Sequence, residues 1–130
     1  MRPTRRSWLW SAFLASFLAM GVPYWLTPYG KLDLPTALLH PGLMVVAFAA
    51  LCVRAAGTAP FRKAANAAGL AVPAAVMARV VVDGMRDPTS HNLWPFEIVI
   101  ALVVGYACSL AGALAGLAVA RVMGIDAEAD

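Results

Sequence analysis

Four long apolar runs, separated by short polar segments, dominate this 130-residue chain. About 20 helical residues cross the roughly 30 Å hydrocarbon layer of a membrane, and each run has or approaches that length. We place the predicted spans near residues 8–26, 35–53, 65–83 and 95–122. Charged residues make up only 13% of the chain, compared with roughly 25% in soluble domains. The sequence therefore predicts an integral membrane protein.

The apolar runs are continuous rather than alternating, which favours helices over the strands of a transmembrane barrel. Lipid offers no hydrogen-bond partners, so a spanning helix must satisfy its own backbone. The connecting segments are short, and neighbouring helices should pack antiparallel. We predict an all-α protein, a single transmembrane domain over residues 1–130 that folds as a four-helix bundle.

The positive charges predict the orientation of the bundle. Short loops rich in lysine and arginine stay in the cytoplasm. Seven of the ten such residues fall on one side of the predicted spans: Arg2, Arg5, Arg6, Arg54, Arg62, Lys63 and Arg121. We predict that both termini are cytoplasmic, in a multi-pass protein of the bacterial inner membrane.

The segment between the third and fourth spans is rich in ionisable groups and should be periplasmic. It contains Asp87 and His91, followed by Trp94. Asp87-Pro88-Thr89-Ser90 is typical of a turn, in which the aspartate accepts hydrogen bonds from nearby backbone amides. We expect an ordered loop held against the bilayer interface or across the mouth of the bundle.

Arg79 and Asp83 lie four residues apart on the inward face of the third span, a spacing that allows an ion pair. An intramembrane charge is costly and is normally paired or placed beside water. We predict an Arg79–Asp83 ion pair. The alternative is that Arg79, about one turn from the end of the span, extends to the interface.

The second span contains the sequence Leu39-His40-Pro41-Gly42, which is unfavourable inside a helix. Proline lacks a backbone donor and disfavours helical geometry in the preceding residue. Either residues 35–53 form one kinked helix, or His40 lies on irregular backbone at membrane depth. His40 is then either a hydrogen-bonded residue of the kink or a ligand or proton carrier that faces a wet cavity.

In the fourth span small residues recur on one face: Gly105, Ser109, Gly112 and Gly116. Helices in lipid associate through close van der Waals approach, which small residues permit. This face should therefore be a packing surface, either within the chain or against a second copy.

No metal site, cofactor site or catalytic residue is predicted. The chain lacks H-x-x-x-H and C-x-x-C spacing, a nucleophile elbow and a phosphate loop. Its positive charges are dispersed, so no nucleic-acid partner is expected. The expected contacts are the lipid bilayer and either a second copy or another membrane protein.

Two functional hypotheses follow. The first is a structural or accessory subunit of a membrane assembly, in which the Arg79–Asp83 pair holds the bundle together. The second is a small oligomeric transporter or channel for an ion or small solute, with its polar site on the periplasmic side at Arg79, Asp83, His40 and Glu97. We favour the first, because transport normally needs polar groups across the whole membrane.

Overall fold

The structure is a computed structural model that describes residues 5–28, 38–57, 59–89 and 93–125. Within these ranges the chain forms helices and no strand. The α-helices are α1 (Arg5–Leu26), α2 (Gly42–Ala55), α3 (Phe61–Gly69), α4 (Ala71–Arg86) and α5 (Trp94–Met123). The prediction of an all-α protein is confirmed for this part of the chain.

Three helical stretches are long and apolar enough to cross a membrane. They are Arg6–Leu26 with 21 residues, Phe61–Arg86 with 26 residues and Trp94–Met123 with 30 residues. The second of these combines α3 and α4. These stretches correspond to the first, third and fourth predicted spans.

The second predicted span corresponds to a shorter helix in the described residues. The described helix α2 has 14 residues and begins at Gly42, not near residue 35. At 1.5 Å per residue it is about 21 Å long, which is shorter than the roughly 30 Å hydrocarbon layer. The described residues therefore contain three helices of spanning length and one shorter apolar helix. Residues 29–37, where that span was predicted to begin, lie outside the described residues.

The late start of α2 follows from Pro41, which disfavours helical backbone at His40. His40 lies in a bend rather than in a helix. Regular hydrogen bonding begins directly afterwards, as the amide of Met44 donates to the carbonyl of Pro41 at 3.0 Å. Of the two alternatives for this segment, the structure has irregular backbone at His40.

The third predicted span contains a break at Leu70, which separates α3 from α4. Pro73 lacks a backbone N–H, so the carbonyl of Gly69 loses its usual donor four residues later. Hydrogen bonding continues on both sides of the break. The amide of Leu70 donates to the Asn66 carbonyl at 3.0 Å, and that of Ala74 donates to the Leu70 carbonyl at 3.1 Å. The two helices thus form one interrupted rod.

The helix order gives the bundle two distinct ends. At the Arg79 end, α1 and α4 finish while α2 and α5 begin; at the Arg54 end, α1 and α3 begin while α2 and α5 finish. The ends of α1 and α4 are joined by hydrogen bonds from Arg79 to α1. In the described residues the carboxylates of Asp83, Asp87 and Glu97 are all near the Arg79 end.

The small face of α5 lies inside the bundle, mainly against α2. Gly105, Ser109, Gly112 and Gly116 are all buried. A Cβ atom added to Gly112 would overlap the backbone carbonyl of Ala47 in α2, and one added to Gly116 would lie 2.6 Å from the Leu51 carbonyl oxygen. This face therefore packs within the chain.

Candidate functional site

An ion pair lies at the centre of the Arg79 end. Nε of Arg79 donates to Oδ2 of Asp83 at 2.9 Å. The Arg79 side chain is 8% exposed and that of Asp83 is 21% exposed. This is the i,i+4 contact that the spacing of the two residues predicts.

The same guanidinium also binds the end of α1. Nη1 of Arg79 donates to the carbonyl oxygens of Tyr24 at 2.5 Å and Thr27 at 2.6 Å. The last carbonyls of a helix have no intrahelical donor and carry partial negative charge. Because α1 has no basic residue in its last turn, Arg79 supplies from α4 the positive charge that caps α1.

Two aromatic residues of α1 complete this arrangement. The Cζ atom of Arg79 lies 5.5 Å from the centroid of the Tyr24 ring, within range of a cation–π interaction. Trp25 donates from Nε1 to the carbonyl of Ala75 in α4 at 2.9 Å. We refer to Tyr24, Trp25, Thr27, Arg79 and Asp83 as the Arg79 cluster.

A cavity of about 410 Å³ lies beside the Arg79 cluster. Its lining residues are Trp25, Ala78, Arg79, Val82, Asp83 and Arg86. The cavity combines two guanidinium groups and one carboxylate with an apolar wall. This composition suits a small anion or a polar solute, provided that the solute competes with the existing ion pair.

His40 does not line this cavity. Its Nδ1 atom accepts a hydrogen bond from the backbone N–H of Gly42 at 3.0 Å, which satisfies an amide at the start of α2. The buried Nε2 atom has no hydrogen-bond partner among the described residues. Since Nδ1 is the acceptor, a neutral ring carries its proton on Nε2. His40 is thus a hydrogen-bonded residue of the bend with one unused donor.

Glu97 is also separate from the cavity. It is partly buried in the first turn of α5, where a carboxylate interacts favourably with the helix dipole. The structure therefore brings Arg79 and Asp83 together. It does not add His40 or Glu97 to the walls of their cavity.

Part of the predicted periplasmic loop is described. Oδ1 of Asp87 accepts hydrogen bonds from the hydroxyl of Thr89 at 2.7 Å and from its backbone N–H at 3.0 Å. These bonds favour the carboxylate, so they hold the pKa of Asp87 below its ordinary value. Trp94 was predicted in the loop but is the first residue of α5, where Pro95 fixes the helical φ angle. His91 lies outside the described residues.

The side chains that flank this loop are exposed. Leu93 is 64% exposed and Phe96 is 65% exposed. They do not fold across the mouth of the bundle, and such apolar groups suit the membrane interface. In the described residues no group of three or more histidine, cysteine, aspartate or glutamate side chains is placed to hold a metal ion.

Sequence reasoning missed the partners of Arg79 on α1. Aromatic residues at the end of an apolar run are typical of a membrane interface, yet Tyr24 is 1% exposed and packs in the core. The sequence feature that could have indicated these partners is the absence of a basic residue in the last turn of α1. Sequence reasoning also placed Arg54 among the loop cations, whereas it is buried in the last turn of α2.

Comparison with known protein families, curated proteins and solved structures gives no match for this chain.

Proposed function

We propose that this chain is a structural or accessory subunit of a membrane assembly in the bacterial inner membrane, with both termini in the cytoplasm. The observation that carries the proposal is the bonding of Arg79. Its Nε and Nη1 atoms are engaged with Asp83 and with two backbone carbonyls of α1. A guanidinium used in this way joins two helices, and a solute that bound these two nitrogens would have to displace those bonds.

The outward faces of the bundle support this proposal. On α1 the exposed residues Trp10, Leu14, Leu18 and Val22 recur every four positions, which places them in one stripe along the helix. On α5 Val99 and Val103 form part of a second apolar face, 56% and 64% exposed. In an assembly, one of these faces contacts a helix of another membrane protein and the other contacts lipid.

Site-specific photocrosslinking in native membranes tests the proposal. A photoreactive residue at Leu14 samples the α1 stripe, and one at Val103 samples the α5 face. We expect one discrete crosslinked partner from one face and only lipid adducts from the other. Lipid adducts from both faces, with the protein present as a monomer, would contradict the proposal.

The proposed orientation has its own test. A reporter that is active only in the cytoplasm should be active when it is fused after Arg62. A reporter that is active only in the periplasm should be active when it is fused after His91. Reporters on the same side of the membrane would overturn the proposed topology.

A second candidate function is a small transporter or channel, favoured by the cavity beside Arg79 and Asp83. Val82 lines this cavity, whereas its neighbour Val81 does not, and both are about half exposed. Val82→Trp should therefore fill the cavity without removing a charge, and Val81→Trp is the matched control. Flux of protons, divalent cations or small anions into liposomes that is lost only in Val82→Trp would establish transport. Our proposal expects no flux above that of empty liposomes.

A further inference from the structure

Arg54 is a buried charged residue at the opposite end of the bundle from Arg79. Its side chain is 8% exposed, the same fraction as that of Arg79. Arg79 is bonded to a carboxylate and two carbonyls, but Nε and Nη1 of Arg54 have no hydrogen-bond partner among the described residues. A guanidinium does not lose its proton in a protein. A buried charge without a partner is strongly unfavourable, so Arg54 requires an anion.

No carboxylate in the described part of the chain can supply that anion. Asp83, Asp87 and Glu97 are near the Arg79 end, at the opposite end of the helices. The described charges near Arg54 are cationic: Arg6, Arg62, Lys63 and Arg121 are all exposed. This end therefore has a positive potential that attracts anions.

The packing of α5 gives Arg54 its buried position. A Cβ atom added to Gly116 would lie 3.1 Å from Cβ of Arg54, so the glycine leaves room for the arginine between α2 and α5. The next helix, α3, begins with no side-chain cap and no acidic residue in its first turn. Its first backbone N–H groups are donors that can also face an anion.

We propose that Arg54 binds a phosphate group at the Arg54 end of the bundle. The planar guanidinium matches phosphate oxygens with two parallel N–H donors. Arg54 is in the last turn of an apolar helix, and if α2 lies within the bilayer this turn is close to one of its interfaces. The phosphate comes either from an anionic phospholipid or from inorganic phosphate. This inference goes beyond the proposed function and does not depend on it.

The test uses the full chain, purified in a neutral detergent without phosphate and stripped of lipid. Binding is measured by native mass spectrometry and by thermal stability with three additions: phosphatidylglycerol, inorganic phosphate, and diacylglycerol as the phosphate-free control. We expect phosphatidylglycerol or inorganic phosphate, but not diacylglycerol, to bind and to raise the melting temperature. The arm that succeeds identifies the source of the phosphate. Absence of binding in both phosphate arms would overturn the proposal.

Two substitutions sharpen this test. Arg54→Met removes the buried charge, and we expect at least about tenfold weaker phosphate binding, as for the loss of a charge-assisted hydrogen bond. The matched control Arg62→Gln removes an exposed charge at the same end and should weaken binding less than about twofold, because exposed ion pairs contribute little. Equal losses in the two variants would indicate a diffuse electrostatic effect and would contradict a site at Arg54.

Stability without phosphate distinguishes a binding role from an internal ion pair. If phosphate is the missing partner, Arg54→Met should be at least as stable as the wild type in phosphate-free detergent, since it removes an unpaired charge. The sequence after Ile125 contains three further carboxylates, Asp126, Glu128 and Asp130. If Arg54→Met and the triple change of these residues to amides each lower stability equally without phosphate, the arginine pairs with the tail and the proposal is wrong.

Discussion

The contact between α2 and α5 provides the most direct test of the bundle. Gly112 lies against the backbone of Ala47, and an added Cβ would be 2.6 Å from the carbonyl carbon and 2.8 Å from Cα of Ala47. Ordinary contacts of a Cβ atom begin at 3.4 Å. Because the obstruction is backbone rather than a flexible side chain, Gly112→Ala should force the two helices apart by at least about 0.8 Å, the shortfall at the carbonyl carbon, since the Ala47 carbonyl oxygen is closer still.

The expected loss of stability can be set from this displacement. A gap of 0.5–1 Å removes roughly a quarter to a half of the dispersion energy at each contact. Overpacking of a close-packed interior typically costs about 1–3 kcal/mol. The substitution affects the contact between α2 and α5, which is the most extensive contact between two helices of the described residues. We therefore expect Gly112→Ala to lower the free energy of unfolding by about 2 kcal/mol, near the middle of that range.

Gly84 provides a matched control. It lies in α4, and an added Cβ would meet no atom within 4 Å. Gly84→Ala should therefore raise stability by about 0.5–1 kcal/mol through helix propensity alone. Both variants are measured by unfolding in mixed micelles with increasing SDS, followed by far-ultraviolet circular dichroism. If Gly112→Ala is as stable as Gly84→Ala, the close approach of α2 and α5 is wrong.

Three further changes test the Arg79 end. Arg79→Gln removes the charge that pairs with a carboxylate and caps α1, so stability in the same unfolding assay should fall by about 3 kcal/mol; a loss below about 1 kcal/mol would mean that the pair is dispensable. Trp25→Phe keeps the ring packing but removes the donor to Ala75, and should cost about 1 kcal/mol; an unchanged unfolding curve would contradict that bond. Thr89→Val removes the hydroxyl bond to Asp87, so the pKa of this carboxyl should rise towards its ordinary value of 3.8 in an NMR titration. Because the folded pKa of Asp87 lies below its ordinary value, the carboxylate stabilises the loop fully at any pH above the ordinary pKa. This stabilisation is lost as the pH falls through the folded pKa. An unchanged pKa of Asp87 in Thr89→Val would show that the hydroxyl bond does not lower it.

Local patterns in the sequence account for the features that depend on a single helix. The i,i+4 spacing of Arg79 and Asp83 predicts their contact because helical residues four apart are neighbours. The small face of α5 is predicted for the same reason, because its residues recur at intervals of three or four positions. The bounds of α5, Trp94–Met123, differ from the predicted 95–122 by one residue at each end, since the helix has a proline near its start and a glycine after its end.

Features that depend on two helices were not accessible from the sequence. The carbonyls that accept from Arg79 are 52 and 55 residues away along the chain, and spacing does not reveal which helices meet. Arg54 was counted as a loop cation because it directly follows an apolar run. Its burial depends on Gly116 of α5, so it becomes apparent only when α2 and α5 are placed side by side.

The prolines inside α1 and α4 also act through contacts between helices. Pro23 lies inside α1 and lacks the N–H that would bond to the carbonyl of Ala19 four residues earlier. A Cβ atom added to Gly42, the first residue of α2, would overlap that carbonyl oxygen. The absence of a side chain at Gly42 therefore lets the start of α2 approach a carbonyl that has lost its usual donor.

Pro73 and Gly105 repeat this arrangement between α4 and α5. Pro73 deprives the Gly69 carbonyl of its usual donor, and an added Cβ on Gly105 would lie 2.6 Å from that carbonyl oxygen. In lipid an unsatisfied carbonyl is costly, so each proline creates an acceptor that only a closely approaching backbone can reach. Glycine permits that approach, because any larger residue would place a Cβ atom between the backbones of the two helices. At these two positions a proline on one helix and a glycine on its neighbour together favour a close approach of the two backbones.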